Sequence, residues 1–300
     1  MKLGQILVAT DFSEAGKDAI AQATGWAERY RSALHVVHVV PPKRWFGGVF
    51  GTADSVHEAA CEHAATALKR IADSIDTAHI PHISTGVMEG TAARTIARAA
   101  RELNADLLVI GTRGEHQSEN DQIGLGGTAA KIVHDPAVPV LLVRREPVAA
   151  APAVLAPVDL TPISSLVIQW ALRCCHAGEL RALHVYEVPF SRRLRTYGVA
   201  ETAISLYAEH EHAKRAKQLA ELIKGSSPPS TVRIEEVVER AESSEVLLKH
   251  IRHFTGTTLV LGKHRSDSDR TGPNYDSVCD YAARFSPSNV LIVPPPVADD

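Results

Sequence analysis

Five glycines fall between residues 111 and 127, within Gly111-Thr-Arg113-Gly114-Glu-His-Gln-Ser-Glu-Asn-Asp-Gln-Ile-Gly124-Leu-Gly126-Gly127-Thr128. The stretch leaves a short apolar run and enters a helix-patterned segment. Glycine accepts positive φ and lets the main chain approach a ligand closely. At a strand-to-helix junction, Gly126-Gly127-Thr128 would turn unpaired N–H groups and a helix dipole toward an anion, as phosphate sites do. The alternative for the same spacing is a loop closed by glycine and threonine caps. It is not a Walker loop, because no Gly-Lys-Ser/Thr follows, and no GxGxxG follows the first strand. The second candidate is Asp11, which ends the apolar run Gln5-Ile-Leu-Val-Ala-Thr10. In an open parallel sheet, ligands bind beyond the carboxyl ends of the strands where strand order reverses. Asp11 and Gly111 would line one crevice if the first and fourth strands are neighbours.

Other residues have weaker claims. His57 and Cys61 stand four apart on an expected helix with His63 nearby. Two of them share a face, and no fourth ligand is evident for a zinc site. His38 on the second strand is expected to pack beneath the crevice. Pro41-Pro-Lys-Arg-Trp45-Phe46-Gly-Gly-Val-Phe50 reads as a lid, an apolar contact patch, or a segment packed on its own following helix. Pro189-Phe190-Ser-Arg192-Arg193-Leu-Arg195-Thr-Tyr197 is basic and aromatic, suited to an acidic ligand or to solvent. No GxSxG elbow, HExxH or cysteine–histidine pair at diagnostic spacing is found, so the sequence favours a binding protein, with a slow ATPase or a binder of a non-ATP small ligand as the alternatives.

These residues need a scaffold, and the chain carries it twice. Gln5-Ile-Leu-Val-Ala-Thr10-Asp11-Phe-Ser13 recurs as Ala153-Val-Leu-Ala-Pro-Val158-Asp159-Leu-Thr161. Ala33-Leu-His-Val-Val-His-Val39 is echoed by Ala182-Leu-His-Val-Tyr-Glu-Val188, Asp106–Gly111 by Thr257–Gly262, and Val138–Val143 by Ser288–Val293. The offsets lie between 148 and 151, which marks a duplication, with 1–147 and 151–297 as the two domains. In the first copy strands are expected near 5–10, 34–40, 82–88, 106–111 and 138–143, and helices near 14–30, 53–78, 91–103 and 126–135. Continuous apolar runs such as Leu107-Leu-Val-Ile110 indicate strands covered on both faces. Strand–helix alternation then gives right-handed parallel βαβ units. The expected fold class is α/β, two tandem doubly wound five-stranded parallel-sheet domains.

Composition agrees with this reading. An apolar fraction of 45% and a charged fraction of 22% suit packed domains and exclude disorder, collagen and coiled coil. The net charge of −3 divides as −2 in residues 1–150 and −1 in 151–300, so neither half offers the basic surplus of a nucleic-acid or anionic-membrane binder. No apolar run approaches the roughly 18 residues of a membrane span. The four cysteines show no disulfide framework, and a cytoplasmic location is expected.

The succession Val8-Ala-Thr10-Asp11-Phe-Ser13, Leu34-His-Val-Val-His38-Val, Gly111-Thr-Arg-Gly114 to Gly126-Gly127-Thr128, and Pro136-Ala-Val-Pro139-Val-Leu-Leu-Val resembles the universal stress protein family. Nearly the whole chain is similar to its tandem members. The resemblance implies a strand order of 3-2-1-4-5 in each half and a stress-response regulatory protein that binds ATP, with or without Mg²⁺, and turns it over little or not at all. It implies that Ala9, Thr10 and Asp11 contact the adenosine end and that Val39 or Val40 flanks the base. Gly111, Arg113 and Gly114 would border ribose and phosphate, and Gly126, Gly127 and Thr128 would cradle the phosphates. It further implies an intramolecular pseudo-dimer through the closing strands 138–143 and 288–293, and a possible homodimer. The family loop is Gly-x2-Gly-x9-Gly-Ser/Thr, whereas here eleven residues separate Gly114 from Gly126, and Thr128 follows one position late. Glu115, Glu119 and Asp121 add negative charge near the expected phosphates unless Mg²⁺ intervenes. In the second copy Asp159 persists, but the loop begins Gly262-Lys263-His264-Arg265 and lacks the glycine pair. That loop, with Lys263, His264, Arg265 and Arg270, reads as a solvated polar segment or a side-chain anion site.

Overall fold

The computed structural model describes residues 3–45, 53–112, 124–144, 152–241, 245–264 and 275–295. The chain divides into two units, Met1–Pro147 and Val148–Asp300. The first contains β1 (Gln5–Ala9), α1 (Glu14–Tyr30), β2 (Ala33–Val40), α2 (Ala53–Ser74), β3 (Ile83–Glu89), α3 (Ala92–Glu102), β4 (Leu107–Gly111), α4 (Gly127–His134) and β5 (Val140–Val143). Its strands run parallel in the order β3-β2-β1-β4-β5. The second contains β6 (Ala153–Pro157), α5 (Ile163–Cys175), β7 (Glu179–Tyr186), α6 (Ser191–Thr196), α7 (Glu201–Gly225), β8 (Arg233–Arg240), α8 (Glu245–His253), β9 (Thr258–Gly262), α9 (Tyr275–Phe285) and β10 (Asn289–Val293). Its order is β8-β7-β6-β9-β10, again parallel and again 3-2-1-4-5 within the unit.

The central strands are buried because helices cover both faces. Ile6, Leu7 and Val8 of β1 and Leu107, Leu108 and Val109 of β4 are almost without solvent contact, which is why these runs are continuous rather than alternating. Helix α1 follows the usual spacing: Ala19, Ile20, Ala23, Trp26 and Ala27 form one buried stripe. Ser13 caps it by accepting a hydrogen bond from the Gly16 amide at 3.2 Å, and Arg31 closes it with φ 50°. On α3 the buried stripe is Ala93, Thr95, Ile96, Ala99 and Ala100.

The pairing register corrects one feature of the repeat. The similar strings at 33–39 and 182–188 suggest that Ala33 corresponds to Ala182, yet Ala33 pairs with Gln5 and its counterpart beside Ala153 is Glu179. The second strands are therefore related by 146 residues, not 149, while the first strands keep 148. A shift of three moves every side chain to the opposite face. The true equivalents are His38 with His184 and Val40 with Tyr186, and the matching letters are a coincidence of strand composition.

Gly111 is required by a close approach. A Cβ there would lie 2.8 Å from the Ala15 carbonyl oxygen in the first turn of α1, main chain against main chain. A Cβ at Gly127 would meet none of the described residues within 4 Å. Gly111→Ala is therefore expected to lower stability by about 1–3 kcal/mol, whereas Gly127→Ala raises it by up to ~1 kcal/mol through the unfolded chain. Urea midpoints of the two variants check this; equal midpoints would refute the close approach.

Candidate functional site

The first unit builds its crevice from the end of β1. Ala9 and Thr10 are buried there, and the Thr10 amide donates to the Val37 carbonyl at 3.0 Å. The chain then turns through Asp11-Phe12-Ser13, with Phe12 at φ 66°. A left-handed residue with a side chain costs on the order of 1–2 kcal/mol, and local hydrogen bonds offset it. Asp11 Oδ1 accepts from the Ser13 amide at 3.1 Å and from the Ser13 hydroxyl at 2.5 Å, while Thr10 Oγ1 accepts from the Phe12 amide at 3.0 Å. Gly16 leaves room for the turn, since a Cβ there would sit 2.6 Å from Thr10 Oγ1. Beneath it, His38 Nδ1 is 2.8 Å from the Thr10 carbonyl, and the Phe12 ring stacks on the imidazole at 4.5 Å. A ring nitrogen facing a carbonyl must carry the proton, so Nδ1–H is the donor.

The other wall comes from β4 and α4. Ala9 is level with Ile110 across the β1–β4 pair, so the Asp11 turn and Gly111 emerge side by side. Beyond Gly111, the Thr112 amide donates to the Val143 carbonyl at 3.2 Å, and the Thr112 carbonyl accepts from the Gly126 amide at 2.8 Å. That bond draws the start of α4 to the end of β4. Gly126 caps the helix without a side-chain hydrogen bond, and Gly127 and Thr128 are exposed. The first-turn amides of α4 therefore lack side-chain acceptors from their own cap. Val39 is half-buried and Val40 buried at the end of β2, paired with Met88 and Glu89. Arg113 and Gly114 lie outside the described residues, as do Glu115, Glu119 and Asp121. Sequence reasoning passed over Phe12, Gly16 and Thr112; the signal for the turn was present in Asp-Phe-Ser recurring as Asp-Leu-Thr.

The remaining candidates separate from this crevice. Cys61 Sγ is 3.9 and 4.0 Å from the ring nitrogens of His57, and His57 Nε2 is 3.7 Å from Glu89 Oε2. Among the described residues no group of three or more His, Cys, Asp or Glu is placed to hold a metal ion. Trp45 is exposed, and the rest of its aromatic segment, 46–52, lies outside the described residues. Among the described residues no helix is long and apolar enough to cross a membrane.

The second unit repeats the turn and closes it differently. Leu160 has φ 64°, and Asp159 Oδ1 accepts from the Thr161 amide at 3.0 Å, the Thr161 hydroxyl at 2.6 Å and the Ser164 hydroxyl at 2.8 Å. Asp159 Oδ2 meets His264 Nε2 at 2.7 Å. Lys263 is buried with Nζ 3.7 Å from Asp280 Oδ1. Two of the side chains expected to hold an anion are thus directed at carboxylates; Arg265 and Arg270 lie outside the described residues. His184 Nδ1 is 2.8 Å from the Val158 carbonyl, the bond His38 makes in the first unit. Burial holds the His184 imidazole below its ordinary value, against the opposing effect of that bond.

Comparison with known proteins supplies a family. The model of the universal stress protein family matches residues 2–144 and again 152–294. A universal stress protein of Thermus aquaticus is 33% identical over 140 residues, 46% of this chain and 97% of that protein. Universal stress protein A homolog 1 of Coxiella burnetii is 30% identical over 145 residues, 48% of this chain and 97% of that one. A universal stress protein structure from Archaeoglobus fulgidus aligns over 99% of this chain and 98% of its own with a TM-score of 0.68 at 18% identity, a likeness of fold.

Burial works against ionisation of Asp159, but hydrogen bonds from His264, Thr161 and Ser164 outweigh it and hold the carboxyl well below the ordinary carboxylate range. Its folded value lies below the unfolded one, so the stabilisation is complete above about pH 4 and is lost as pH falls toward the folded value. Asp159→Asn is expected to destabilise the second unit at pH 7 by about 2 kcal/mol. It should also flatten the loss of stability on acidification, read from urea midpoints between about pH 6 and 3. Parallel curves for variant and parent would refute the role of this carboxylate.

Proposed function

The chain belongs to the universal stress protein family, and from that premise we propose that it is a stress-response regulatory protein that binds an adenine nucleotide, ATP, in its N-terminal unit. The observation that carries this reading is the Gly126–Thr112 bond, which sets an uncapped helix start beside Gly111 and the Asp11 turn. Main-chain amides and a helix dipole favour phosphate oxygens there. Among the described residues the space at Gly127 is open, which supports the same reading, since main chain can meet a ligand without an intervening side chain. In this assignment Ala9, Thr10 and Asp11 hold the adenosine end, Val39 or Val40 flanks the base, Gly111, Arg113 and Gly114 border ribose and phosphate, and Gly126, Gly127 and Thr128 cradle the phosphates. Mg²⁺ bound with the nucleotide would offset Glu115, Glu119 and Asp121. The engagement of Asp159 by His264 favours the N-terminal unit over the C-terminal one. The protein acts by holding nucleotide rather than by consuming it.

Calorimetric titration with Mg²⁺-ATP is expected to give one site per chain. Asp11→Ala and Gly127→Val should each weaken it tenfold or more, with Asp159→Ala unchanged and phosphate release at background. Undiminished affinity in Gly127→Val would place the ligand elsewhere. Steady phosphate release abolished by Asp11→Ala would make the protein an ATPase. No ATP binding, together with an unrelated small molecule in the mass spectrum of released ligands, would replace the nucleotide.

A further inference from the structure

The two units differ most at the ends of their second and third strands. In the first, Val40 is level with Glu89, whose Oε1 accepts from the Lys43 amide at 3.2 Å. In the second, the equivalent pair is Tyr186 and Arg240. An acidic position has become basic, and an aliphatic one aromatic. A pocket of about 340 Å³ opens here, with Arg240, Arg193 and Ser191 on its walls, Val188 at its base, Phe190 on its rim and Glu187 as its acidic residue. Nearby Arg195 is engaged by Glu201 at 3.1 Å, and Arg240 feels the same carboxylate, but among the described residues neither Arg193 nor Arg240 makes a direct ion pair.

Phe190 has φ 59° and is 66% exposed. Both features carry a cost, since a bulky residue in the left-handed region is strained and an aromatic ring gains nothing from water. The position suits a ring that covers a ligand.

Tyr186 itself, which does not line the pocket, belongs to a neighbouring buried cluster. Tyr186, 4% exposed, packs with Val188 in one buried cluster and is the register partner of Arg240, so two pocket residues touch its surroundings. Among the described residues its hydroxyl has no hydrogen-bond partner, and neither has His184 Nε2 or Arg215 Nε. The Arg215 guanidinium lies over the Tyr186 ring at 4.7 Å. Buried polar atoms without partners are rare in folded proteins and call for a ligand or ordered water. A basic mouth and an aromatic rim define the complement, a small molecule with an anionic head and a flat apolar body.

We infer that the C-terminal unit carries its own binding pocket, between the ends of β7 and β8 and the helix α6, for a small aromatic anion held by Arg193 and Arg240 and covered by Phe190. The site is separate from the nucleotide crevice and does not depend on it.

Phenyl phosphate is the probe, titrated calorimetrically into the full chain carrying Gly127→Val, so that the N-terminal glycine loop cannot supply the signal. One site per chain is expected, with phenol at least tenfold weaker. Arg240→Gln and Arg193→Gln should each reduce affinity about tenfold, the loss of one charge-assisted contact. Both arginines are exposed, so the variants should fold, and an unchanged melting midpoint checks it. Phe190→Ala should weaken phenyl phosphate more than inorganic phosphate. No binding, equal binding of phenol, or affinity unchanged by both arginine substitutions would overturn the assignment. Retention there alongside loss of ATP binding in Gly127→Val would leave the nucleotide reading standing alone if the arginine variants had no effect.

Discussion

A carboxylate folded back on its own main chain governs the upper end of each unit. Asp11 and Asp159 accept the amide and hydroxyl of the residue two positions on, and the residue between them is forced to φ 66° or 64°. This reverses the chain within three residues and starts the next helix directly over the strand it left. The reversal then dictates clearance. In the first unit a Cβ at Gly16 would crowd the Thr10 hydroxyl, and Gly111 must be bare to admit Ala15. The glycines that sequence reading associates with ligand contact thus divide into two kinds. Gly111 serves the packing of strand against helix; Gly127 has open space and no packing contact among the described residues.

The same turn has two chemical fates. Where the first unit has Gly16, the second has Ser164, whose hydroxyl adds a third bond to Asp159 Oδ1. His264 then takes Oδ2. A carboxylate gathered this way is part of the fold, because removing any donor leaves buried charge under-satisfied. Underneath, the two units agree: His38 and His184 each tie the second strand to the carbonyl that ends the first. Each imidazole carries a proton on the Nδ1 that faces the carbonyl.

The doubly wound architecture was legible because covered strands leave continuous apolar runs, and Leu107–Ile110 and Leu141–Val143 have almost no solvent contact. Helix limits followed from stripes on α1 and α3 and from Ser13 as a cap. The register of the second strand was not legible. Ala-Leu-His-Val occurs in both copies, and strands built from few residue types repeat short strings by chance; only the partner strand fixes which residue is level with which. The Asp11 turn was half legible, as an aspartate at a strand end, but its left-handed Phe12 carries no sequence mark of the kind glycine gives. The His264–Asp159 pair joins residues over a hundred positions apart through a polar loop, where neither periodicity nor composition reports contact.

A duplicated chain separates what the fold needs from what a ligand selects, since both copies answer to the same backbone. The turn aspartate, the hydroxyl two residues on and the strand-two histidine are kept in both units, and each makes the same bond within the turn or to the carbonyl that ends the first strand. Glu89 and Arg240 stand at one place in the two sheets and carry opposite charge. Each keeps an opposite neighbour, Lys43 beside Glu89 and Glu201 beside Arg240, so the reversal costs the fold little. What it changes is the sign presented to solvent above the strand ends, where open α/β sheets meet their ligands. Scaffold chemistry has no preference between the two signs there, whereas a bound molecule would, so the divergence of the two rims fits the two separate ligands proposed above.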